Sequence, residues 1–349
     1  MKKILVVFGL FIPFILINLS STVLAENVSN DEQAGGYTIE GIPNSNQIDP
    51  DSGYFYLHES PGSKDNIKIK LTNSSEQDKT LMVKVTDANT NINGIVDYTG
   101  QLKNHSLLKV PLTSIVHATQ KEVVVPKNSS VETTLNVTMP KEPVEGIILG
   151  GVVVSEKQED NEKNKGLSVG NTYSYTIGIA LTNHAETPIK KNVSVELEKV
   201  GPTLFDGRKI IQADILNPNP YVFSQAEVTG DITYLKDNKV VKSKKMENVS
   251  IAPYSFFPFQ FDWNKDELKP GKYLFKGAVK TKEKTWEFEK EFEIKEDQAK
   301  KINTESVFKL QIPTWLSISC ILLVVLSIVN IILLIIRRLK YSGRKHHEE

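Results

Sequence analysis

Cysteine is all but missing from this chain: 349 residues contain one, Cys320. It lies within a C-terminal apolar run, so no disulfide can form anywhere before that run, whereas exported animal proteins of this size are ordinarily bridged. Net charge is missing too. Lysine plus arginine and aspartate plus glutamate each total 42, and the two signs are interspersed, which leaves no basic stripe for nucleic acid. The sequence also lacks His-Glu-x-x-His, a cysteine-rich metal pattern and a phosphate loop, so no metal, cofactor or catalytic set is expected. Gly166 to Gly170 reads G-x-S-x-G, but that motif exposes its serine only between a strand and a helix. Here a charged stretch precedes it and an alternating run follows. Asp49, Asp51 and Gly53 resemble the opening of a calcium loop, yet Tyr54, Phe55 and Tyr56 begin a strand where further ligands would be required, so a plain turn is expected.

Long apolar runs are restricted to the two ends. Trp315 to Ile336 is uninterrupted and matches the roughly 20 residues a helix needs to cross a bilayer. Arg337, Arg338, Lys340, Arg344 and Lys345 follow at once, which predicts a transmembrane helix over 314–336 and a cytoplasmic tail over 337–349. At the other end Lys2 and Lys3 precede an apolar run, and Val23-Leu24-Ala25 offers small residues for cleavage between Ala25 and Glu26. Residues 1–25 therefore read as a signal peptide, and everything between the two runs lies outside the cell. Asn-x-Ser/Thr triplets such as Asn73, Asn128 and Asn248 matter only where a glycosylation machinery reads them. A cysteine-free exterior with one C-terminal anchor fits a Gram-positive surface protein.

The exterior has a period of two. Ile67, Ile69 and Leu71, then Leu81, Val83 and Val85, then Val131, Thr133, Leu135 and Val137 alternate, with turn residues between the runs. The expectation is all-β: two Ig-like β-sandwiches in series, plus the C-terminal helix. The first sandwich is placed at 37–156, a charged linker at 157–166, the second sandwich at 167–296 and a stalk or short helix at 297–313. Two echoes support a repeat: Ile69–Asn73 with Ile179–Asn183, and Val124–Ser129 with Ile251–Ser255. Ile147 to Val154 reads as a central strand, with Gly150-Gly151 permitting close approach or a bulge. Phe257, Phe259, Phe261 and Trp263 share one strand face and are expected in the second core, with Pro258 marking an edge.

Tyr54, Tyr56 and His58 share the face opposite Phe55 and Leu57. Because Phe55 and Leu57 suffice for a core, the other three are the candidate binding residues for a glycan or protein; the alternative is tyrosines packed beneath a loop.

Several segments together resemble the WxL-interacting protein family of Gram-positive bacteria: GGYTIEGIPNSNQIDPDSGYFYLHESPG, EGIILGGVVVSE, IAPYSFFPFQFDW and LKPGKYLFKGAV, followed by one helix and a basic tail. The resemblance implies a peptidoglycan-binding first domain, a second domain that binds host or extracellular-matrix ligands, and WxL-domain surface proteins as partners. The reading is thus a non-enzymatic, membrane-anchored adaptor. Its rivals are an envelope hydrolase with an unrecognised acid pair and a receptor signalling through its tail.

Overall fold

The computed structural model describes residues 35–157, 173–307 and 314–345. The expected signal peptide, the Ala25/Glu26 cleavage point and the serine motif at 166–170 lie outside the described residues. The described residues from 35 to 307 fold as two sandwiches. In the first, one sheet has four strands in the order β1 (Tyr37–Gly41), β3 (Lys64–Asn73), β9 (Ser129–Thr138), β7 (Val116–Ala118). The facing sheet has five, ordered β2 (Phe55–His58), β11 (Ser174–Thr182), β10 (Ile148–Glu156), β4 (Lys79–Asp87), β8 (Glu122–Val125). A small hairpin, β5 (Asn89–Thr90) with β6 (Val96–Asp97), stands beside them. The alternating aliphatics meet between the sheets: Ile67, Ile69, Leu71, Leu81, Leu135, Val152, Ile179 and Leu181 are all fully enclosed, and removing that apolar surface from water is what holds the sheets face to face.

The position of β11 corrects the expected domain division. It pairs antiparallel with β10 along its length, from Ile148↔Leu181 to Ser155↔Ser174, and parallel with β2 from Ile179↔Phe55 to Thr182↔His58. Ile177, Ile179 and Leu181 complete the first core. The charged stretch at 157–166 therefore connects two neighbouring strands of one sheet rather than two domains. A charged composition of low hydropathy does not tell a connection within one sheet from a connection between domains. As expected, β10 is central and closely approached. A Cβ on Gly150 would stand 2.2 Å from the Thr86 carbonyl oxygen and 2.6 Å from Leu112, while the register with both neighbours runs on without a bulge.

The second sandwich packs a three-stranded sheet, β12 (Glu196–Phe205), β13 (Arg208–Asn217), β16 (Ser255–Asp262), against a four-stranded one, β15 (Lys239–Ile251), β14 (Phe223–Tyr234), β17 (Gly271–Lys280), β18 (Thr285–Ile294). Phe257, Phe259, Phe261 and Trp263 fill its core, as their alternation requires. Pro258 sits on β16, an edge strand where a missing N–H costs no ladder bond.

Residues 297–307 of the expected stalk also belong to this domain. Helix α1 (Glu296–Glu305) buries Ala299 and Ile302 in the second core. Asn303 accepts from the Leu268 N–H at 2.9 Å and donates to the Leu268 carbonyl at 2.9 Å, and the Val307 N–H reaches the Gly207 carbonyl at 3.0 Å. Helix α2 (Thr314–Lys345) takes up the apolar run. Among the described residues no helix is long and apolar enough to cross a membrane.

The two sandwiches meet through an apolar contact of Tyr56, Ala88, Ile147, Leu149 and Ala180 with Val222 and Ala252. Hydrogen bonds frame it: Ile147 N–H to the Pro220 carbonyl at 3.0 Å, Ser250 N–H to the Gly94 carbonyl at 2.8 Å, and Ala252 N–H to the Thr90 hydroxyl at 3.0 Å. Satisfying those buried amides makes the contact a specific one.

Candidate functional site

The first candidate surface is built where the edge strands β1 and β2 face each other across the open side of the first sandwich. The chain between them, 42–54, is rich in Asn, Gln, Ser and Pro and touches the strands only briefly, with Ile48 N–H to the Tyr56 carbonyl at 2.8 Å, His58 N–H to the Asn46 carbonyl at 2.9 Å and Ile42 N–H to the Lys68 carbonyl at 3.0 Å. Side-chain hydrogen bonds hold the rest. Asn44 Oδ1 accepts from the Asn46 N–H at 2.7 Å, and Gln47 Nε2 donates to the Asp49 and Tyr54 carbonyls at 2.8 and 3.0 Å. The Asp49 carbonyl accepts from the Ser52 N–H at 3.2 Å, closing the expected turn. The result is a cleft of about 490 Å³ whose wall includes Glu40, Asn44, Gln47, Ser52, Tyr54 and Phe55. Its floor forms because Gly41 has no side chain: a Cβ there would lie 2.8 Å from the Phe55 ring, which occupies that space.

The three sequence-predicted residues divide here. Tyr54 is 40 % exposed and lines the cleft. His58 is exposed, with Nε2 3.1 Å from the Asn183 carbonyl. Tyr56 is a correction: only 7 % exposed, it belongs to the contact between the domains, and its hydroxyl donates to the Thr187 carbonyl. The alternation correctly put it opposite Phe55 and Leu57, but that face is covered by the second domain's approach, which strand period cannot reveal. The cleft's polar wall, Asn44, Gln47 and Ser52, was not picked out from sequence; the dense run of amide and hydroxyl residues was the available signal.

Behind the cleft lies a carboxyl pair. Glu59 is 2 % exposed and receives bonds from Asn46 Nδ2 at 3.0 Å and the Ser63 hydroxyl at 2.9 Å. Burial pushes its carboxyl up, and Asp65, within hydrogen-bonding reach, adds to the rise. Burial also acts to raise Asp65, but bonds from Asn44, the Asn66 backbone, Glu59 and Asn46 outweigh it and hold that carboxyl down. Asn46 Nδ2 bridges the pair, 3.0 Å from Glu59 Oε1 and 3.4 Å from Asp65 Oδ2, and Asn44 Nδ2 donates to Asp65 Oδ2 at 2.8 Å, so the carboxyls tie Asn44 and Asn46 to β3. Among the described residues no cluster of His, Cys, Asp or Glu could hold a metal ion.

In the second domain a concavity of about 810 Å³ lies over the four-stranded sheet, where Thr229, Ser243 and Ala278 are short. Two of its lysines are paired, Lys245 with Glu227 and Glu247 at 2.8 Å each and Lys276 with Glu289 at 3.2 Å.

Against known proteins, solved structures give only slight likenesses. The ASH/PapD-like domain of human CEP192 has TM-score 0.28 and 9 % identity over 48 % of this chain and 96 % of that one. The E. coli chaperone DraB has 0.27 and 15 % over 68 % and 92 %, and the CsuC–CsuE complex of Acinetobacter baumannii 0.29 and 9 % over 58 % and 85 %. No curated protein matches the chain. The family comparison is decisive. Residues 37–156 match the description "WxL Interacting Protein, peptidoglycan binding domain" and residues 164–304 "WxL Interacting Protein, host binding domain". The second match begins ahead of β11, although β11 is hydrogen-bonded into the first sandwich, so the family boundary and the structural boundary differ by one strand. With two adjoining matches that together span most of its length, the chain belongs to the WxL Interacting Protein family.

Proposed function

We propose that this chain is a membrane-anchored extracellular adaptor whose first domain holds peptidoglycan and whose second engages WxL-domain surface proteins or host matrix ligands, keeping them at the cell surface. The observation that carries the reading is the tandem of family matches, a peptidoglycan-binding type followed by a host-binding type. The cleft at Tyr54 supports a glycan role for the first domain: an exposed aromatic ring beside amide and hydroxyl groups suits the apolar face and hydroxyl rim of a sugar. For the anchor, support comes from the exposed aliphatic side chains of α2 between Ile321 and Ile336 and the arginines that follow.

Tyr54→Ser tests the glycan role. Tyr54 is part of no core cluster, so its loss should leave stability within about 0.5 kcal/mol while weakening binding to purified peptidoglycan. Unchanged binding would remove the cleft from the account. The anchor is tested by deleting 314–349, which should release the protein into the medium; continued membrane retention would contradict it.

A further inference from the structure

We propose that a second groove of the first domain grips a short anionic peptide, the peptide stem carried by a peptidoglycan strand. The proposal rests on the peptidoglycan reading of that domain and adds where the peptide part is held. The groove lies at the corner where the chain leaves β7 in one sheet and enters β8 in the other. Strand β8 covers β4 only from Lys79 to Met82, and the last bond at that edge is Val83 N–H to the Lys121 carbonyl, 2.9 Å. Strand β4 continues to Asp87, paired there only with β10. In an antiparallel ladder alternate residues direct their N–H and C=O to opposite sides. Val85 therefore points the way Val83 does, past the end of β8, and leaves a short edge open.

The groove beside that edge measures about 540 Å³. Val83, Val85 and Val116 form an apolar floor, and the exposed side chains of Lys84, His117 and Lys121 stand around it. No carboxylate lines it. The nearest acids are engaged elsewhere: Asp87 accepts from the Thr113 N–H and hydroxyl and from Asn104, and Glu122 pairs with Lys157 at 2.7 Å. The site thus combines a positive rim, an apolar base and an unpaired strand edge, the three features that fix an extended acidic peptide by charge, by side chain and by main chain. Its length favours a stem peptide over a strand of a folded partner. The uncovered part of β4 runs from Lys84 to Asp87 and β7 from Val116 to Ala118, which at about 3.4 Å per residue spans roughly 10–14 Å.

The test is calorimetric titration of the full chain with a soluble disaccharide-peptide fragment of peptidoglycan and with the same disaccharide lacking its peptide. Wild type should bind the peptide-bearing fragment more tightly, and added salt should erase the difference. Lys84→Glu with Lys121→Glu should weaken the peptide-bearing fragment about tenfold and leave the bare disaccharide unaffected. Lys84→Gln with Lys121→Gln should fall between, and unchanged hydrogen exchange in β4 and β10 shows that the variants are folded. Equal binding of both fragments by wild type, equal losses for both in the variant, or no loss at all would overturn the proposal, as would equally tight binding of an ordinary acidic peptide of the same length. If wild type binds neither fragment nor whole peptidoglycan, the peptidoglycan reading itself falls, and the proposal with it.

Discussion

Replacing Ile179 with alanine separates the observed domain division from the one its position beyond the charged stretch would imply. Ile179 lies in β11 after that stretch, but its side chain is fully enclosed in the first core, opposite Gly150 on one neighbour and Phe55 on the other. Truncating an enclosed isoleucine costs about 2–5 kcal/mol. Even the lower figure raises the population of the globally open first domain roughly 30-fold. Hydrogen exchange on the full chain in detergent reads both domains at once: β3, β9 and β10 should exchange faster by about that factor or more. The second domain supplies its own reporter, since Trp263 is buried in its core and Trp286 packs against it, while the first domain contains no tryptophan. Tryptophan fluorescence should therefore unfold at nearly the wild-type denaturant midpoint. Faster exchange in β13, β14 and β16 with β3 and β9 unmoved would refute the assignment of β11.

Thr133→Val should stabilise the first domain by about 1 kcal/mol, because the buried Thr133 hydroxyl has no hydrogen-bond partner and valine fills the same space without a polar atom; a lower melting temperature would show an overlooked partner. Tyr56→Ala should cost several kcal/mol of stability, about 3–5 for a buried aromatic, whereas a change under 1 would return Tyr56 to the surface. Glu59→Gln should change the pH profile. Because burial raises the Glu59 carboxyl from 4.5, its stabilising contribution is complete below 4.5 and is lost as pH rises through the raised value; Asp65, held below 3.8, contributes above 3.8 and loses that contribution as pH falls. Glutamine imitates the protonated Glu59, so the variant's melting temperature should gain on wild type as pH rises above 4.5. A constant difference across that range would show that Glu59 does not titrate with folding.

Much of the fold is written in the period of two. Ile67, Ile69 and Leu71, the β10 run and the aromatic row Phe257 to Trp263 all turned inward as alternation requires. The echo of Val124–Ser129 in Ile251–Ser255 is also structural: Asn128 and Tyr254 take φ of 50° and 51° just before the serines that open β9 and β16. The other echo paired the wrong strands. The counterpart of Asn73 is Asn217, not Asn183. Asn73 donates to the Gln77, Val125 and Pro126 carbonyls, and Asn217 to those of Tyr221, Ile251 and Ala252; each also accepts from the N–H two residues on. Such a staple depends on where a carbonyl lies 34 to 53 residues away, which a local match cannot register. Strand partnership fails for the same reason. Nothing in Ser174–Thr182 says that its neighbours are β10 and β2, because any alternating aliphatic strand fits either sandwich. Burial of Tyr56 needs the second domain in place, so its strand face alone misassigns it.

The central claim is binding without turnover. Purified peptidoglycan sedimented with increasing amounts of the full chain in detergent should deplete the protein saturably, and the supernatant should contain no soluble glycan or peptide fragments however long the incubation. Fragments accumulating with time would make the protein a hydrolase, and protein left wholly in the supernatant would contradict the adaptor account.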